Sequence, residues 1–254
     1  MKPLCIDLYA GLGGWSEGFL AEGWDCIGFD IERHDYGTSG YPGQLVLQDV
    51  LTLHGSQFRN VDCIVASPPC QKYSYMAQPW SRAKVEAAWQ RWFRDSGSPF
   101  ADSFTLNDLF NACFRIQREA SAAAGRYIPM VVENVKGAQP WVGAARWHYG
   151  SYYLWGDVPA LMPFTTHGIK VGGSGDAWFD KALDERRRQS TATKGFVVGL
   201  GRGHDWKQDP SAKYNSKSSA RKAASAQIAK IPFELASYIA RYITSPPLPR
   251  ARLR

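Results

Sequence analysis

The chain has 254 residues, and its 30 Lys and Arg against 23 Asp and Glu give a formal net charge of +7. Charged residues at 21% and hydrophobic residues at 44% exclude a wholly disordered chain, and the length fits one large domain with room for a small appendage. No apolar run reaches the ~18 residues that a membrane helix needs, and the N-terminus lacks a signal-peptide pattern, so we expect a cytoplasmic protein without a membrane partner.

The first half of the chain alternates short apolar runs with helical segments. Strands are predicted at residues 4–9, 26–30, 45–47, 61–66 and 127–132, and helices at about 15–22 and 106–124. This alternation predicts an α/β fold, a parallel sheet with helices on both faces. Ligands of such sheets bind beyond the carboxyl ends of the strands, and the unusual residues of this chain fall there.

The second half changes in composition and charge. Residues 1–156 are predicted to form the main domain, 157–218 a small irregular region rich in Gly, Lys, Arg and Ser, and 219–254 a helix that returns to the main domain and ends in a frayed tail. Residues 1–80 hold 4 Lys and Arg against 9 Asp and Glu, whereas residues 181–254 hold 16 against 5. The basic last third favours a polyanionic partner, although a solvated basic surface explains the charge equally well.

The cysteines predict a reducing compartment. Their number is odd, and no CxxC pair occurs, which argues against a disulfide framework and a structural zinc site. Cys5, Cys26, Cys63 and Cys113 lie in apolar runs and are predicted to be core residues. Cys70 differs, because it follows two prolines in a polar loop.

Three features at strand ends suggest a ligand that contains a nucleoside. The sequence Asp7-Leu8-Tyr9-Ala10-Gly11-Leu12-Gly13-Gly14 turns the first strand into a helix. Its glycines allow a close backbone approach, and the helix N-terminus offers free N–H donors. Asp30, after the second strand, is placed to bind ribose hydroxyls, and Asp49, after the third, to bind an adenine amino group. For each aspartate alone, the alternative is a helix N-cap.

Two further motifs carry polar groups that suit catalysis. In Ala66-Ser67-Pro68-Pro69-Cys70-Gln71, two prolines stiffen a loop that holds a thiol, as a nucleophile requires, although a lone cysteine is more often inert. We call residues 67–71 the cysteine loop. Glu133 ends a buried apolar run and must be hydrogen-bonded or neutralised there, which suits a bond to a ring nitrogen of a base. A structural pair with an arginine is the alternative.

Together these motifs resemble those of the DNA (cytosine-5) methyltransferases. Residues 7–14 look like the family's first motif, Pro69-Cys70-Gln71 like its catalytic loop and Glu133-Asn134-Val135 like its Glu-Asn-Val motif, in family order. The resemblance covers residues 4–156 and returns weakly at 228–243. It implies a Rossmann-like domain that binds S-adenosylmethionine, with no metal, and a monomer that acts on double-stranded DNA.

The resemblance assigns a role to each matching position. Cys70 is the implied nucleophile, Glu133 the group that bonds N3 and N4 of the cytosine, and Asn134 the support of the cysteine loop. The implied cofactor-binding residues are Asp7, Tyr9, Ala10, Gly11, Leu12, Gly13, Gly14, Asp30, Ile31, Asp49, Val50, Pro69, Lys230 and Ile231. The predicted DNA contacts are Gln71, Arg82, Lys84, Arg186, Arg187, Arg188 and Arg202.

Some positions depart from the family pattern. The usual Gln-Arg-Arg motif is missing, and residues 149–156 contain no arginine; Arg146 or one of residues 186–188 is a possible substitute. The usual Gly-Asn of the last motif is replaced by Ala229-Lys230-Ile231. Residues 72–105 carry several Trp, Arg and Lys residues and are explained equally well by a mobile loop that closes over DNA and by a small packed helix.

We therefore predict methylation of C5 in a flipped-out cytosine of DNA through a covalent cysteine adduct. Two alternatives remain open: methylation of cytosine in RNA, and a catalytically silent DNA-binding relative. The compact size favours a bacterial or phage source, with the methylation serving host modification or protection of phage DNA from restriction.

Overall fold

A computed structural model describes residues 2–35, 40–73, 84–85, 88–89, 91–92, 95–96, 106–160, 162, 226–227 and 229–244. Seven strands form one sheet: β1 (Leu4–Leu8), β2 (Asp25–Asp30), β3 (Gln44–Leu47), β4 (Cys63–Ala66), β5 (Met130–Asn134), β6 (Trp147–Tyr149) and β7 (Tyr152–Gly156). The helices are α1 (Gly14–Ala21), α2 (Asp108–Ala124), α3 (Gln139–Val142) and α4 (Phe233–Thr244). The predicted α/β class is confirmed.

The strand order of the sheet is β3-β2-β1-β4-β5-β7-β6. The first five strands are parallel and follow the Rossmann-like order, so the carboxyl ends of β1, β2, β4 and β5 lie at one edge. The sheet departs from the prediction at its far side, where β7 is antiparallel to both β5 and β6. Only two residues join β6 to β7, which is too short for the crossover that a parallel pair needs.

Helices cover both faces of the sheet, as predicted. On one face, α1 and α4 pack over a cluster that contains Trp15, Phe19 and Leu235. On the other face, α2 packs through Phe110 and Ile116. The four cysteines predicted to lie in the core are all buried, three of them side by side on β2, β1 and β4.

The close contact between α1 and α4 depends on a small residue. A Cβ atom on Gly18 would lie 2.4 Å from Cβ of Ala236, so any larger side chain would force the helices apart. The predicted return of the C-terminal region to the main domain is therefore seen at α4. The predicted region 157–218 lies outside the described residues, apart from 157–160 and 162. Among the helices that the structure describes, none is long and apolar enough to cross a membrane.

Candidate active site

The cysteine loop begins where β4 ends. The backbone N–H of Ser67 donates to the carbonyl of Leu8 on β1, 3.1 Å away, and the N–H of Tyr73 donates to the carbonyl of Cys70 at 3.0 Å. Cys70 is half-exposed, whereas the other four cysteines of the chain are buried. The loop therefore presents the accessible thiol of the protein at the carboxyl edge of the sheet.

Glu133 and Asn134 end the neighbouring strand β5. The pairing of Ala66 with Val132 places Glu133 one residue beyond the last paired residue of β4, next to the start of the cysteine loop. The side chain of Glu133 is buried, with a residue exposure of 3%. The structure therefore brings the predicted nucleophile and the predicted base-binding carboxyl to adjacent strand ends.

The Asn134 side chain holds the cysteine loop directly. Its Nδ2 donates to the carbonyl of Pro68 at 2.9 Å, and its Oδ1 accepts from the N–H of Val135 at 2.8 Å. Both amide atoms are thus used, in a residue that is 1% exposed. This is the contact that the predicted support of the loop by Asn134 requires.

The glycine turn, residues 9–14, links β1 to α1. Tyr9, Gly11 and Gly13 adopt positive φ angles of 59°, 52° and 76°, which bring the chain round within a few residues. Around Gly11 the space is open, since a Cβ atom there would have only the carbonyl oxygen of Tyr9 within 4 Å, at 3.9 Å. The phenol of Tyr9 points to the face of the sheet that α2 covers, where its OH donates to the carbonyl of Leu109 at 2.8 Å.

Asp30 fixes the glycine turn from the end of β2. Its Oδ2 accepts from the N–H of Gly11 at 2.9 Å and its Oδ1 from the N–H of Glu32 at 3.3 Å, while Nε2 of His34 lies 3.4 Å from Oδ2. Burial alone would raise the pKa of Asp30, but the bonds from His34 and the two backbone N–H groups outweigh it and lower the pKa. The carboxylate is therefore held ionised next to the turn. The contribution of His34 was missed at the sequence level.

Exposed apolar side chains surround this edge of the sheet. Ile31, which directly follows Asp30 and is among the implied cofactor-binding residues, is 73% exposed. Leu51 is 45% exposed and was not among the predicted residues. The main chain of Leu51 is held in place by Arg115 of α2, whose Nη2 donates to its carbonyl at 3.3 Å.

Asp49 and Val50 lie at the start of the short turn that follows β3. The side chain of Asp49 accepts from the N–H of Leu51 at 2.9 Å and caps the short helical turn Val50–Thr52, so the cap that was the alternative for this residue is present. Val50 is 1% exposed and packs in the core. Its side chain therefore faces away from solvent, whereas Leu51 and Thr52 of the same turn are exposed.

Asp7 lies beneath the glycine turn and is 1% exposed. Its Oδ2 accepts from the hydroxyl of Ser16 at 2.9 Å and from that of Tyr41 at 3.1 Å, and these two hydroxyls also contact each other. Its Oδ1 has no hydrogen-bond partner in the described part of the chain. Burial raises the pKa of Asp7 to about 7, against the lowering effect of the Ser16 and Tyr41 bonds.

The last two glycines of the turn contact other segments of the chain. A Cβ atom on Gly13 would lie 2.4 Å from Cδ of Pro42, and one on Gly14 would lie 2.6 Å from the backbone N of Ile231. Ile231 therefore meets the glycine turn through its backbone and Lys230 through Cγ of its side chain. Nζ of Lys230 pairs with Oε1 of Glu17 at 2.5 Å. The described segment before α4 therefore lies against this turn.

The predicted DNA contacts are only partly described. Gln71 and Lys84 are exposed, whereas Arg82, Arg186, Arg187, Arg188 and Arg202 lie outside the described residues. The described residues between 84 and 96 are helical and exposed, including Trp89 (54%) and Trp92 (58%), whose rings meet edge to face with centroids 6.0 Å apart. Two other aromatic residues of the stretch 72–105, Trp80 and Phe93, lie outside the described residues, so both alternatives for this stretch stay open.

β7, the strand beside Glu133, does not supply the arginine of the missing Gln-Arg-Arg motif. Leu154 of β7 lies opposite Glu133, and no residue of β7 is an arginine. Arg146 is one strand further away, where its backbone N–H donates to the carbonyl of Leu154 at 2.8 Å and its side chain is exposed. In the ranges that the structure describes, no group of three or more His, Cys, Asp and Glu side chains is arranged to hold a metal.

Comparison with known proteins agrees with this geometry. Residues 4–93, which include β1 to β4 and the cysteine loop, match the family model for the C-5 cytosine-specific DNA methylases. The match lies in the N-terminal part of the chain. Type II methyltransferase M1.HphI of Haemophilus parahaemolyticus is 37% identical over an 84-residue alignment that covers 29% of this chain. The alignment spans 23% of that relative's length.

Solved structures show weaker likeness over longer stretches. The S. pombe Dnmt2 methyltransferase has 11% identity and a TM-score of 0.47, with 96% of this chain and 98% of that chain covered. The Entamoeba histolytica methyltransferase EhMeth has 13% identity and a TM-score of 0.41, with 66% and 58% covered. The fold assignment therefore rests on the strand order of this protein and not on these likenesses.

Proposed function

We propose that this protein transfers a methyl group from S-adenosylmethionine to C5 of a cytosine in DNA through a covalent adduct with Cys70. One observation carries the proposal: the accessible cysteine and the buried carboxyl of Glu133 lie at the ends of adjacent strands, with Asn134 tying the cysteine loop to β5. The family of residues 4–93 supports cytosine as the acceptor and S-adenosylmethionine as the donor.

The residue types suit the reaction. C5 of cytosine is a weak nucleophile, and addition of the Cys70 thiolate to C6 forms a C–S bond and makes C5 electron-rich. Glu133, which bonds N3 and N4, stabilises the charge that develops on the ring. After the methyl group is attached to C5, loss of the C5 proton and of the Cys70 thiolate breaks the C–S bond and restores the aromatic ring.

The carboxyl edge of the sheet fits the methyl donor. The open space at Gly11, the ionised carboxylate of Asp30 and the exposed side chains of Ile31 and Leu51 would hold the methionine part, the ribose and the adenine respectively. When bound, S-adenosylmethionine supplies an electrophilic methyl group on a sulfonium. Because that cofactor carries a sulfonium cation and no phosphate, the ionised carboxylate of Asp30 suits it.

The described helical residues between 84 and 96 support a nucleic-acid substrate. A base inside a duplex exposes neither face of C6, so the target has to leave the stack. Exposed aromatic rings stack on bases, and nearby cations bind phosphates. Trp89, Trp92, Lys84 and Arg91 supply both kinds of group shortly after the cysteine loop.

The decisive experiment uses duplex DNA in which cytosine is replaced by 5-fluorocytosine. Fluorine at C5 cannot leave as a proton does, so the enzyme should form a stable adduct with this DNA in the presence of S-adenosylmethionine, whereas Cys70→Ser should not. Bisulfite sequencing of DNA from cells that express the protein would then locate the target sites. Methylation by Cys70→Ser would overturn the proposal.

The same assay separates the alternatives. Equal or preferred adduct formation with 5-fluorocytosine-substituted tRNA would favour the RNA substrate, and DNA binding without turnover would favour a silent relative. Neutralising Arg186, Arg187 and Arg188 is expected to weaken DNA binding and to reduce its salt dependence without altering cofactor affinity.

A further inference from the structure

One hydrogen bond joins the helix that follows the glycine turn to the cysteine loop. Trp15 is the second residue of α1, and its indole Nε1 donates to Oγ of Ser67 at 2.9 Å. Ser67 is the first residue after β4 and lies three positions before Cys70. The two residues are 52 positions apart in the sequence, so this contact exists only in the folded chain.

The residues around the Trp15 indole hold it in a fixed position. Trp15 is 2% exposed and packs in the same cluster as Leu235 of α4. The preceding residue, Gly14, lies against the backbone of Ile231, so α1 has little freedom to shift at this end. The hydroxyl of Ser67 is therefore held by a ring whose own position is fixed on several sides.

The two prolines carry this constraint to the thiol. Between Ser67 and Cys70, Pro68 and Pro69 have fixed φ angles, so few torsions separate the anchored serine from the cysteine. Asn134 holds the carbonyl of Pro68 from β5. The loop is thus anchored at two consecutive residues, from the cofactor side by Trp15 and from the Glu133 side by Asn134.

We infer that Trp15 and Ser67 are positioning residues, whose hydrogen bond links the glycine turn to the cysteine loop and keeps Cys70 at the position required for attack on the base. The inference rests on the proposed function, since it assigns the bond a role in adduct formation.

The test uses conservative variants. Trp15→Phe removes the indole N–H and keeps an aromatic ring, and Ser67→Ala removes the hydroxyl from the other partner. Ser67→Thr keeps a hydroxyl and serves as the rescue variant. Trp24→Phe is a matched control, because Trp24 is also buried, at 1% exposure, but its indole N–H has no hydrogen-bond partner among the described residues.

Two measurements should change in opposite directions. With saturating 5-fluorocytosine DNA and S-adenosylmethionine, the rate of adduct formation should fall about three- to tenfold in Trp15→Phe and Ser67→Ala, which is the loss expected for one hydrogen bond. In the protein without cofactor, alkylation of Cys70 by iodoacetamide should become faster by a similar factor, because the freed loop exposes the thiol. The double variant should behave like either single variant.

The controls decide between positioning and general damage. Ser67→Thr and Trp24→Phe should stay within about twofold of the wild type in both rates. Additive effects in the double variant, unchanged rates in Ser67→Ala, or equal losses in Trp24→Phe would each overturn the inference. Failure of the proposed function is distinguishable, because the wild-type protein itself would then form no adduct.

Discussion

Replacing Asp7 by asparagine should show that the buried carboxyl group of Asp7 lowers the free energy of unfolding at neutral pH. Asp7 is 1% exposed, and its pKa is raised to about 7 from an ordinary value of 3.8, mainly because burial disfavours the charge. Asparagine has nearly the same shape, keeps an oxygen that accepts from Ser16 and Tyr41, and stays neutral at every pH. The comparison therefore isolates the effect of ionisation.

The sign follows from the protons bound in each state. Between pH 4 and pH 7 the unfolded chain has released the Asp7 proton and the folded protein retains it, so the free energy of unfolding falls as the pH rises through this range. The stability that the protonated Asp7 contributes is fully present below about pH 4 and is lost above pH 7. One pKa unit corresponds to about 1.4 kcal/mol, so the whole change is at most on the order of 4 kcal/mol.

The assay is urea-induced unfolding of the wild type and Asp7→Asn at several pH values between 4.5 and 8. The stability of Asp7→Asn relative to the wild type should increase by a few kcal/mol over this range and then level off. Asp25→Asn is a suitable control, since the side chain of Asp25 is 62% exposed. A difference between Asp7→Asn and the wild type that is the same at pH 5 and pH 8 would refute the reasoning.

Three further substitutions test the anchors of the site. Asn134→Ala should slow adduct formation by about tenfold with DNA affinity unchanged, because the cysteine loop loses its bond to β5; an unchanged rate would contradict this role. Gly14→Ala should reduce the free energy of unfolding by about 1–3 kcal/mol in urea unfolding, since the new methyl group would lie 2.6 Å from the backbone N of Ile231. A urea midpoint equal to that of the wild type would contradict this, because it would mean that Ile231 can move away without loss of stability. Arg115→Met should weaken S-adenosylmethionine binding severalfold in calorimetry, because it frees the main chain of Leu51; equal affinity would remove Leu51 from the proposed adenine site.

The sequence predicted those parts of the fold that local patterns determine. The apolar runs located β1 to β4 within two residues, and the position of polar residues after these runs indicated which edge of the sheet carries the site. The predicted strand at 127–132 is shifted, since β5 starts at Met130 and continues through Asn134. The shift places Glu133 and Asn134 within the strand, where the backbone fixes them more tightly than a loop would.

Other features depend on contacts between distant residues. The cap formed by Asp49 was foreseen only as an alternative, because an aspartate after a strand suits both a cap and a ligand. The hydrogen bonds from Trp15 to Ser67 and from Tyr41 to Asp7 join residues that are 52 and 34 positions apart. Contacts of this kind leave no periodic pattern in the sequence. The β6–β7 hairpin did carry a local signal, in aromatic residues that flank Gly150, but its antiparallel direction follows from the length of the turn.

The contact between Gly14 and Ile231 has a consequence for how the protein is made. During synthesis the glycine turn leaves the ribosome more than 200 residues before Ile231, which lies against it. The apolar face of α1 has no α4 to pack against over the same interval. The nascent chain thus exposes Trp15 and Phe19 until residues 231–244 have emerged. Release of α4 from the ribosome is then the step that completes the cofactor side of the molecule, so a chain truncated before Ile231 should be captured by chaperones rather than accumulate as a folded fragment.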